Sequence, residues 1–402
     1  MEVLCISEHT YFNGDLFKKM RKCKMIEFTN SFSGKLDFIT DNVESVIFNC
    51  IYLRPLYLPD FIKFFRFIYP RYFLPIIHLS DELRKLEIRI YPENGTNWVL
   101  NLKKLKYLDI NLTNVSHFNL YEFPESIKNL GIYHHKSQDF NDELIIDFTI
   151  LPKKLKVLNL KYCNSPIYQV PITLQYLHIS CYKFNESLSS LKNTNIRKIR
   201  LNCPNFDKPL NDLPESLVSL EILGRFNQKL DNLPQKLRKL EISSESFNQP
   251  MDNLPILKKL VLECAKFSYG LDYLPITLHE LVLYLQRDFS IDNLPVNLRK
   301  LVFKSYDCKN DFRYLPLKIE SIFLKGIDYS RIIFPPNVKI IGIECEEKDN
   351  KINYVPSFCY PYIYRERVEF KFPESVHTVY TRYKYIDELR EKYPKIKFIT
   401  DV

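Results

Sequence analysis

Glycine is scarce in this chain, with 8 in 402 residues, and alanine occurs once, as Ala265. So little glycine leaves no Gly-rich loop of the kind that cradles phosphates. The 10 cysteines include no Cys-x-x-Cys pair, and no histidine pair stands at zinc-finger spacing, so the usual zinc signatures are missing. No Ser-His-Asp set and no paired acidic motif can be picked out. These absences predict a protein that is not an enzyme and has no catalytic residues, cofactor, metal site or small-molecule substrate.

Long apolar runs are missing too. The most apolar stretch, Ile51 to Leu79, is broken by Arg54, Pro55, Pro59, Asp60, Lys63, Arg66, Pro70, Arg71 and Pro75. A bilayer span needs about 20 mostly apolar residues, so no membrane segment is expected. The start, Met1 to Glu8, shows no basic region followed by an apolar stretch, which predicts no secretory leader. Many unpaired thiols suit a reducing compartment. Location is therefore read as cytoplasmic, and as host cytoplasm if the source is viral. The formal charge of +9 comes from 57 basic and 48 acidic residues, interleaved without a basic tail, a weak lean toward acidic partners.

What is present is a repeat. Leu-Pro recurs at Pro214, Pro234, Pro255, Pro275, Pro295 and Pro316, at steps of 20, 21, 20, 20 and 21. Each pair precedes L-x-x-L-x-[LIF], as in Leu217, Leu220, Ile222 and in Leu278, Leu281, Leu283; after Pro255 it arrives one residue early, at Leu257. The frame continues upstream through Ile196, Leu174, Leu155 and Ile127. Fainter copies begin at Leu105, Leu83, Val43 and Cys23. Downstream it fits Val338, Ile341 and Ile343. Lys239 to Ser243 alternates polar and apolar with period two, the mark of a short strand. Proline stops any helix before it, and about ten residues remain for the return, too few for a full helix and two turns. The fold predicted is a solenoid with one short parallel strand per repeat of about 20 residues and non-helical or 3-10 returns. Its concave sheet face would bind a partner.

Between strands runs a second signature, Phe226-Asn227-Gln228-Lys229-Leu230-Asp231-Asn232-Leu233-Pro234, with close copies ending at Pro214, Pro255 and Pro275. The Phe and the following Leu or Met are expected in the core, and the Asp-Asn pair suits side-chain-to-backbone turn bonds. This F-N-x-P-[LM]-D-N-L-P-x-x-L-x-x-L-x-I pattern resembles the FNIP-repeat family, a leucine-rich-repeat relative found in social amoebae and in giant DNA viruses that infect amoebae. The resemblance implies a viral or amoebal interaction protein. It also raises the role of substrate-recognition subunit of a ubiquitin ligase. No clear F-box is evident here: the N-terminus reads as strands, and Leu58-Pro59-Asp60 is only a faint echo of one.

Three regions follow. Residues 1–123 read as an N-terminal cap and degenerate repeats with a short aromatic helix near 59–69. Residues 124–345 hold the clear repeats. Residues 346–402 hold degenerate repeats and a helix-strand cap from Ile386 onward.

Cys50, Cys181, Cys203, Cys264 and Cys345 each sit two residues past the strand motif, where other repeats carry Gly224, Ser244, Ser305 or Gly326. That slot is expected to be a crowded inward corner filled by small structural residues. His134 and His135, near Asp139 and Asp142, read as a solvated loop.

Outward strand positions include Lys198, Arg200, Lys239, Glu241, Lys259, Lys300 and Lys304, a face of mixed sign. The column after the first Leu of each motif leans basic, with Lys128, Lys156, Arg197, Arg238, Lys258, Arg299 and Lys339, interrupted by Gln175, Val218, His279 and Glu320. These positions predict a monomeric protein-protein interaction scaffold whose partner lies on the sheet face and basic rim, with contacts at Lys198, Arg200, Arg238, Lys239, Glu241, Lys258, Lys259, Arg299, Lys300 and Lys304. Nucleic acid or another polyanion is the alternative for the rim.

Overall fold

A computed structural model of the chain describes residues 3–7, 9–32, 34–52, 54–68, 76–90, 101–113, 117–119, 123–135, 145–147, 151–163, 167, 169–285, 291, 293–308, 314–327, 332–343, 370–381 and 386–400. They form two compact units. Unit 1 holds residues 1–186 and 193–196; unit 2 holds 187–192 and 197–402.

Unit 2 is a stack of parallel strands, one per coil: Lys198–Asn202, Ser219–Leu223, Lys239–Ser243, Lys259–Cys264, Glu280–Leu285, Lys300–Cys308, Ser321–Ile327, Ile340–Ile343, Thr378–Thr381 and Lys397–Ile399. Each pairs in parallel with the next. The register is the one the repeat predicts. Leu240 pairs with Leu260, Leu260 with Leu281 and Leu281 with Leu301, all fully buried. Leu217, Leu237, Leu257, Leu278 and Leu298, at the motif's first position, are fully buried as well. The return paths are turns, with a short 3-10 segment at Ser189–Leu191.

Opposite the strands, Phe206, Phe226, Phe247 and Phe267 stack with centroids 6.1, 6.0 and 6.1 Å apart and planes within 10°. Leu210, Leu230, Met251 and Leu271, four residues after each Phe, are buried as well. The residue after each Phe ties coil to coil, beginning with the Asn227 N–H, which donates to Asp207 Oδ1 at 2.8 Å. The amide N–H of Asn248 donates to Asn227 Oδ1 at 2.8 Å, and that of Ser268 to Asn248 Oδ1 at 2.9 Å. The Asp-Asn pairs act differently from expectation: Asn253 Nδ2 reaches Asp231 Oδ1 at 3.4 Å and Asn293 Nδ2 reaches Asp272 Oδ1 at 2.7 Å. They link side chains of adjacent coils, because stacking places an equivalent polar group nearer than the residue's own backbone.

Unit 1 repeats the plan through Val3–Ile6, Met25–Ser31, Ser45–Ile51, Phe64–Phe67, Lys85–Ile90, Tyr107–Thr113, Asn129–His135, Val157–Lys161 and Tyr176–Ser180, all paired in parallel. The stretch read as an aromatic helix near 59–69 is instead a rung: Phe65 and Phe67 are buried while Phe64 and Arg66 turn outward. Period-two burial outweighs the local cluster of aromatics. The described N-terminal residues also include a helix, Gly14–Met20, that the strand reading missed. Asn13 caps it by accepting from the Leu16 N–H at 3.0 Å, with Asp15 in its first turn. Such a cap is a legible start signal. His134 and His135 lie in a strand and His134 is buried, not in a solvated loop; Asp139 and Asp142 fall outside the described residues. At the C-terminal end the helix Ile386–Lys392 and the strand Lys397–Ile399 stand where the sequence places them.

The corner slot is as read. Cys50 and Cys181 in unit 1, and Cys203, Ser244, Cys264 and Ser305 in unit 2, are buried; Cys345 lies outside the described residues. Gly224 takes φ +153°, and a Cβ there would meet the Cys203 carbonyl oxygen at 2.2 Å, so that coil accepts only glycine. One corner thiol escaped the frame. Tyr162 adopts φ +60° and is exposed, an inserted residue that delays Cys163 by one place and lets it fill the corner beside Cys181. Burial pushes the Cys50 and Cys264 thiols up, which keeps them protonated and unreactive.

Candidate functional site

The outward face of each sheet is built from columns, one residue per coil. In unit 2 the column between the two strand leucines begins with charge. Glu221, with a side chain only 6% exposed, is held by Lys239 at 2.9 Å, Lys198 at 3.1 Å and Arg200 at 3.6 Å. Lys239 also pairs with Glu241 at 3.0 Å. Burial pushes the Glu221 carboxyl up, but Lys239 and Lys198 outweigh it, and the group titrates below its ordinary range. Three coils on from Glu221, in the neighbouring column that holds Lys239, Glu280 is bound by Lys259 at 2.7 Å and Lys300 at 3.4 Å. Directly after Glu241 the Glu221 column turns apolar: Val261, Val282, Val302 and Phe323 are buried, with Tyr284, Ile340 and Tyr380 packed against them. The sequence reading described this face as one of mixed charge and did not name that apolar column, although the alternation that marks it was on display.

The cations proposed from sequence therefore divide. Lys198, Arg200, Lys239, Lys259 and Lys300 hold carboxylates of their own sheet, and Glu241 is taken by Lys239. Lys304 lies over the Tyr284 ring at 5.5 Å. Arg238, expected to be exposed, is half-buried, its guanidinium donating to the carbonyls of Gln235 and Leu237 at 2.8 Å each. Lys239 was also expected to be exposed and is half-buried in the ion cluster, so reversing its charge would unsettle the fold. Arg197, Lys258 and Arg299 on the rim are exposed.

Unit 1 has a different centre. Glu87 is buried between Arg66 at 2.8 Å and Lys85 at 2.7 Å. Asp109 accepts from the Tyr107 hydroxyl at 2.7 Å and from Tyr133 at 3.5 Å. Its carboxylate occupies the space over Gly131, where an added Cβ would come within 2.0 Å of Asp109 Oδ1. Burial raises the Asp109 carboxyl and, chiefly through the same desolvation, pushes the Tyr133 hydroxyl up to about 12. Gly131→Ala should displace that carboxylate and lower the stability of unit 1 by about 1–3 kcal/mol, measured by chemical denaturation; a neutral result would show the carboxylate to be free to move.

The rim of unit 1 is more strongly cationic than sequence reading recognised. Each coil's first outward residue donates its backbone N–H to the equivalent carbonyl of the coil before. The chain of bonds runs Arg84 to Lys63, Lys106 to Arg84, Lys128 to Lys106 and Lys156 to Lys128, at 2.7–2.9 Å. Lys63 is paired with Glu44 at 3.1 Å. Arg84, Lys106, Lys128 and Lys156 are exposed, and the bonds above seat them on successive coils, about 4.8 Å apart. Sequence reading named Lys128 and Lys156; Lys63, Arg84 and Lys106 occupy the same place after Ile62, Leu83 and Leu105. The fainter N-terminal copies hid them.

Among the described residues no group of three or more His, Cys, Asp or Glu side chains could hold a metal ion, and no helix is long and apolar enough to cross a membrane.

No family model matches the chain, and no curated protein matches it. Similarity appears among solved structures. CroV588, a protein with a novel circular leucine-rich-repeat structure, aligns with a TM-score of 0.50 at 19% identity over 95% of this chain and 66% of its own. This chain thus spans about two thirds of that protein. An internalin, inlF, from Listeria monocytogenes aligns at TM-score 0.44 and 15% identity over 76% of this chain and 88% of its own. The first of these likenesses establishes the fold: a leucine-rich-repeat-type solenoid.

Proposed function

We propose that this protein is a non-catalytic interaction scaffold of the FNIP-repeat type, binding a protein partner along the cationic rims of its sheets. One observation carries the reading. The carboxylates at the centre of each sheet already hold their cations, whereas Arg84, Lys106, Lys128 and Lys156 in unit 1, and Arg197, Lys258 and Arg299 in unit 2, stand exposed on coils whose backbones are locked by hydrogen bonds. A rigid row of donors loses little entropy on engaging a partner and steers acidic surfaces toward it. The ubiquitin-ligase role that the family resemblance raises draws less support, since the described part of residues 1–123 is taken up mainly by further rungs of unit 1.

Reversing Arg84, Lys106 and Lys128 to glutamate should leave the circular dichroism spectrum unchanged and remove bound proteins from affinity capture out of cell extract. Retention of every partner by this variant, and by its Lys258 and Arg299 counterpart, would refute the rim. Absence of any captured protein with the parent chain would refute the scaffold.

The unbroken run in unit 1 also favours a second reading, a rim that binds a polyanion. It requires affinity for single-stranded RNA or DNA that falls by orders of magnitude between about 50 and 200 mM salt; binding insensitive to salt would dismiss it.

A further inference from the structure

A second row on unit 2 differs from the cationic rim in kind. The residue that follows each proline is Glu215 and then Gln235 in the early coils, and becomes Ile256, Ile276, Val296 and Leu317 in the next four. These side chains are 51, 62, 60 and 66% exposed. Tyr273 and Tyr314, two residues before the prolines of their coils, are exposed as well. A lone exposed aliphatic residue is ordinary. Four on successive coils make a continuous apolar ridge about 15 Å long, given the spacing of adjacent strands, and turn positions have no packing reason to be apolar.

The ridge is held rigid. Thr277 Oγ1 donates to the Leu257 carbonyl at 2.8 Å, Asn297 Nδ2 to Ile276 at 3.1 Å and Asn337 Nδ2 to Leu317 at 2.9 Å. Each coil's turn is thereby tied to the turn before it, so the apolar tips are presented in a fixed order.

Beside the end of the ridge opens a cavity of about 330 Å³ lined by Arg299, Lys318, Glu320, Asn337, Lys339 and Ser375. Three cations face one carboxylate, which leaves an excess of two positive charges. Glu320 is engaged by Lys339 at 3.1 Å, and among the described residues Lys318 bonds only the neutral Asn297 Oδ1 at 2.7 Å. Among the described residues the Arg299 guanidinium has no ion-pair or hydrogen-bond partner. Its planar fork matches a carboxylate with two parallel N–H donors. Val296 and Leu317 adjoin Asn297 and Lys318 in sequence, so apolar ridge and cationic cavity share one turn edge.

We propose that this edge of unit 2 receives an acidic, apolar peptide segment of a partner protein. One Asp or Glu carboxylate enters the cavity against Arg299 and Lys318, while neighbouring aliphatic side chains lie over Val296 and Leu317. Charge complementarity selects an acidic occupant, and the recess selects a single side chain over a flat charged surface: Glu320 inside the cavity opposes a bilayer of anionic headgroups but leaves room for one carboxylate on the Arg299 side. The inference rests on the scaffold reading and specifies the chemistry of its partner.

The test is selection of displayed random peptides on the full chain, repeated on Arg299→Glu/Lys318→Glu and on Val296→Asp/Leu317→Asp. Enriched peptides should combine acidic with aliphatic residues and lose about tenfold or more in affinity on either variant. Peptides without acidic residues, or peptides that bind both variants as well as the parent, would overturn the site. If those peptides are lost on the rim variants instead, the scaffold reading survives this failure; if no surface enriches any peptide, both fall. Sedimentation with phosphatidylcholine–phosphatidylserine vesicles that depends on Leu317 would assign the ridge to membrane and likewise overturn the proposal. Circular dichroism on each variant checks that the fold is intact, and Arg299→Lys, which keeps the charge and loses the fork, should fall between parent and Arg299→Glu.

Discussion

Phe247→Ala should destabilise unit 2 by about 3–5 kcal/mol, the range for removing a fully buried phenylalanine. Phe247 is wholly buried, and its ring stacks between Phe226 at 6.0 Å and Phe267 at 6.1 Å. The loss therefore combines apolar burial with two aromatic contacts and leaves a void that the flanking coils cannot close without shifting their own Phe. In a repeat stack each coil is stabilised mainly by its neighbours, so the damage should appear as an earlier denaturant transition for unit 2 while the transition of unit 1 stays in place. Phe247→Leu should cost less, since it retains part of the volume. Equal losses for the two substitutions would mean that volume is immaterial at this site, against the stacked arrangement.

Glu221→Gln should destabilise by about 1–3 kcal/mol. Removing one partner of a fully buried pair costs more, but Lys198 and Lys239 keep side-chain exposures of 43 and 32% and can turn toward water. The substitution should also change the pH dependence. The Glu221 carboxyl titrates below its ordinary range in the folded protein, so the unfolded chain binds the proton first as pH falls. Its contribution to stability is complete above the ordinary carboxylate pKa and is lost as pH drops through the lower folded value. Lys239 behaves in the opposite sense. Burial lowers its ammonium, but the hydrogen bond to Glu221 and the charge of Glu241 more than offset this and raise it overall; its contribution is complete below the ordinary lysine value and disappears as pH rises through the raised one. The parent should lose stability at both extremes, and Glu221→Gln should flatten the acidic limb. An acidic limb unchanged by the substitution would show that Glu221 is not the titrating partner.

The two proposed surfaces differ in how far they could be read from sequence. The rim follows directly from the repeat: once Leu105 and Leu83 are accepted as motif positions, Lys106 and Arg84 fall into the same column as Lys128. Only the weak punctuation of those two copies, neither of them preceded by Leu-Pro, concealed it. The apolar ridge was equally visible, since Ile256, Ile276, Val296 and Leu317 each follow a proline, but a residue after Leu-Pro reads as a turn and turns are expected to be polar. The cavity lined by Arg299, Lys318 and Lys339 could not be read in advance, because its shape depends on how Asn297 and Asn337 pull successive turns together.

Period, register and inward columns were determined by the sequence alone, because each depends on strictly local alternation repeated every 20 or so residues. Leu240, Leu260, Leu281 and Leu301 line up for that reason, and small residues such as Cys203 and Ser244 fill the corners. Which charges remain available to a partner was decided by the tertiary structure. Lys63 and Arg84 hold the same place in the motif, yet one is engaged by Glu44 on the preceding coil and the other is exposed. The difference lies in side-chain geometry between coils about 20 residues apart, where Coulomb attraction and desolvation act across a distance that no linear pattern encodes.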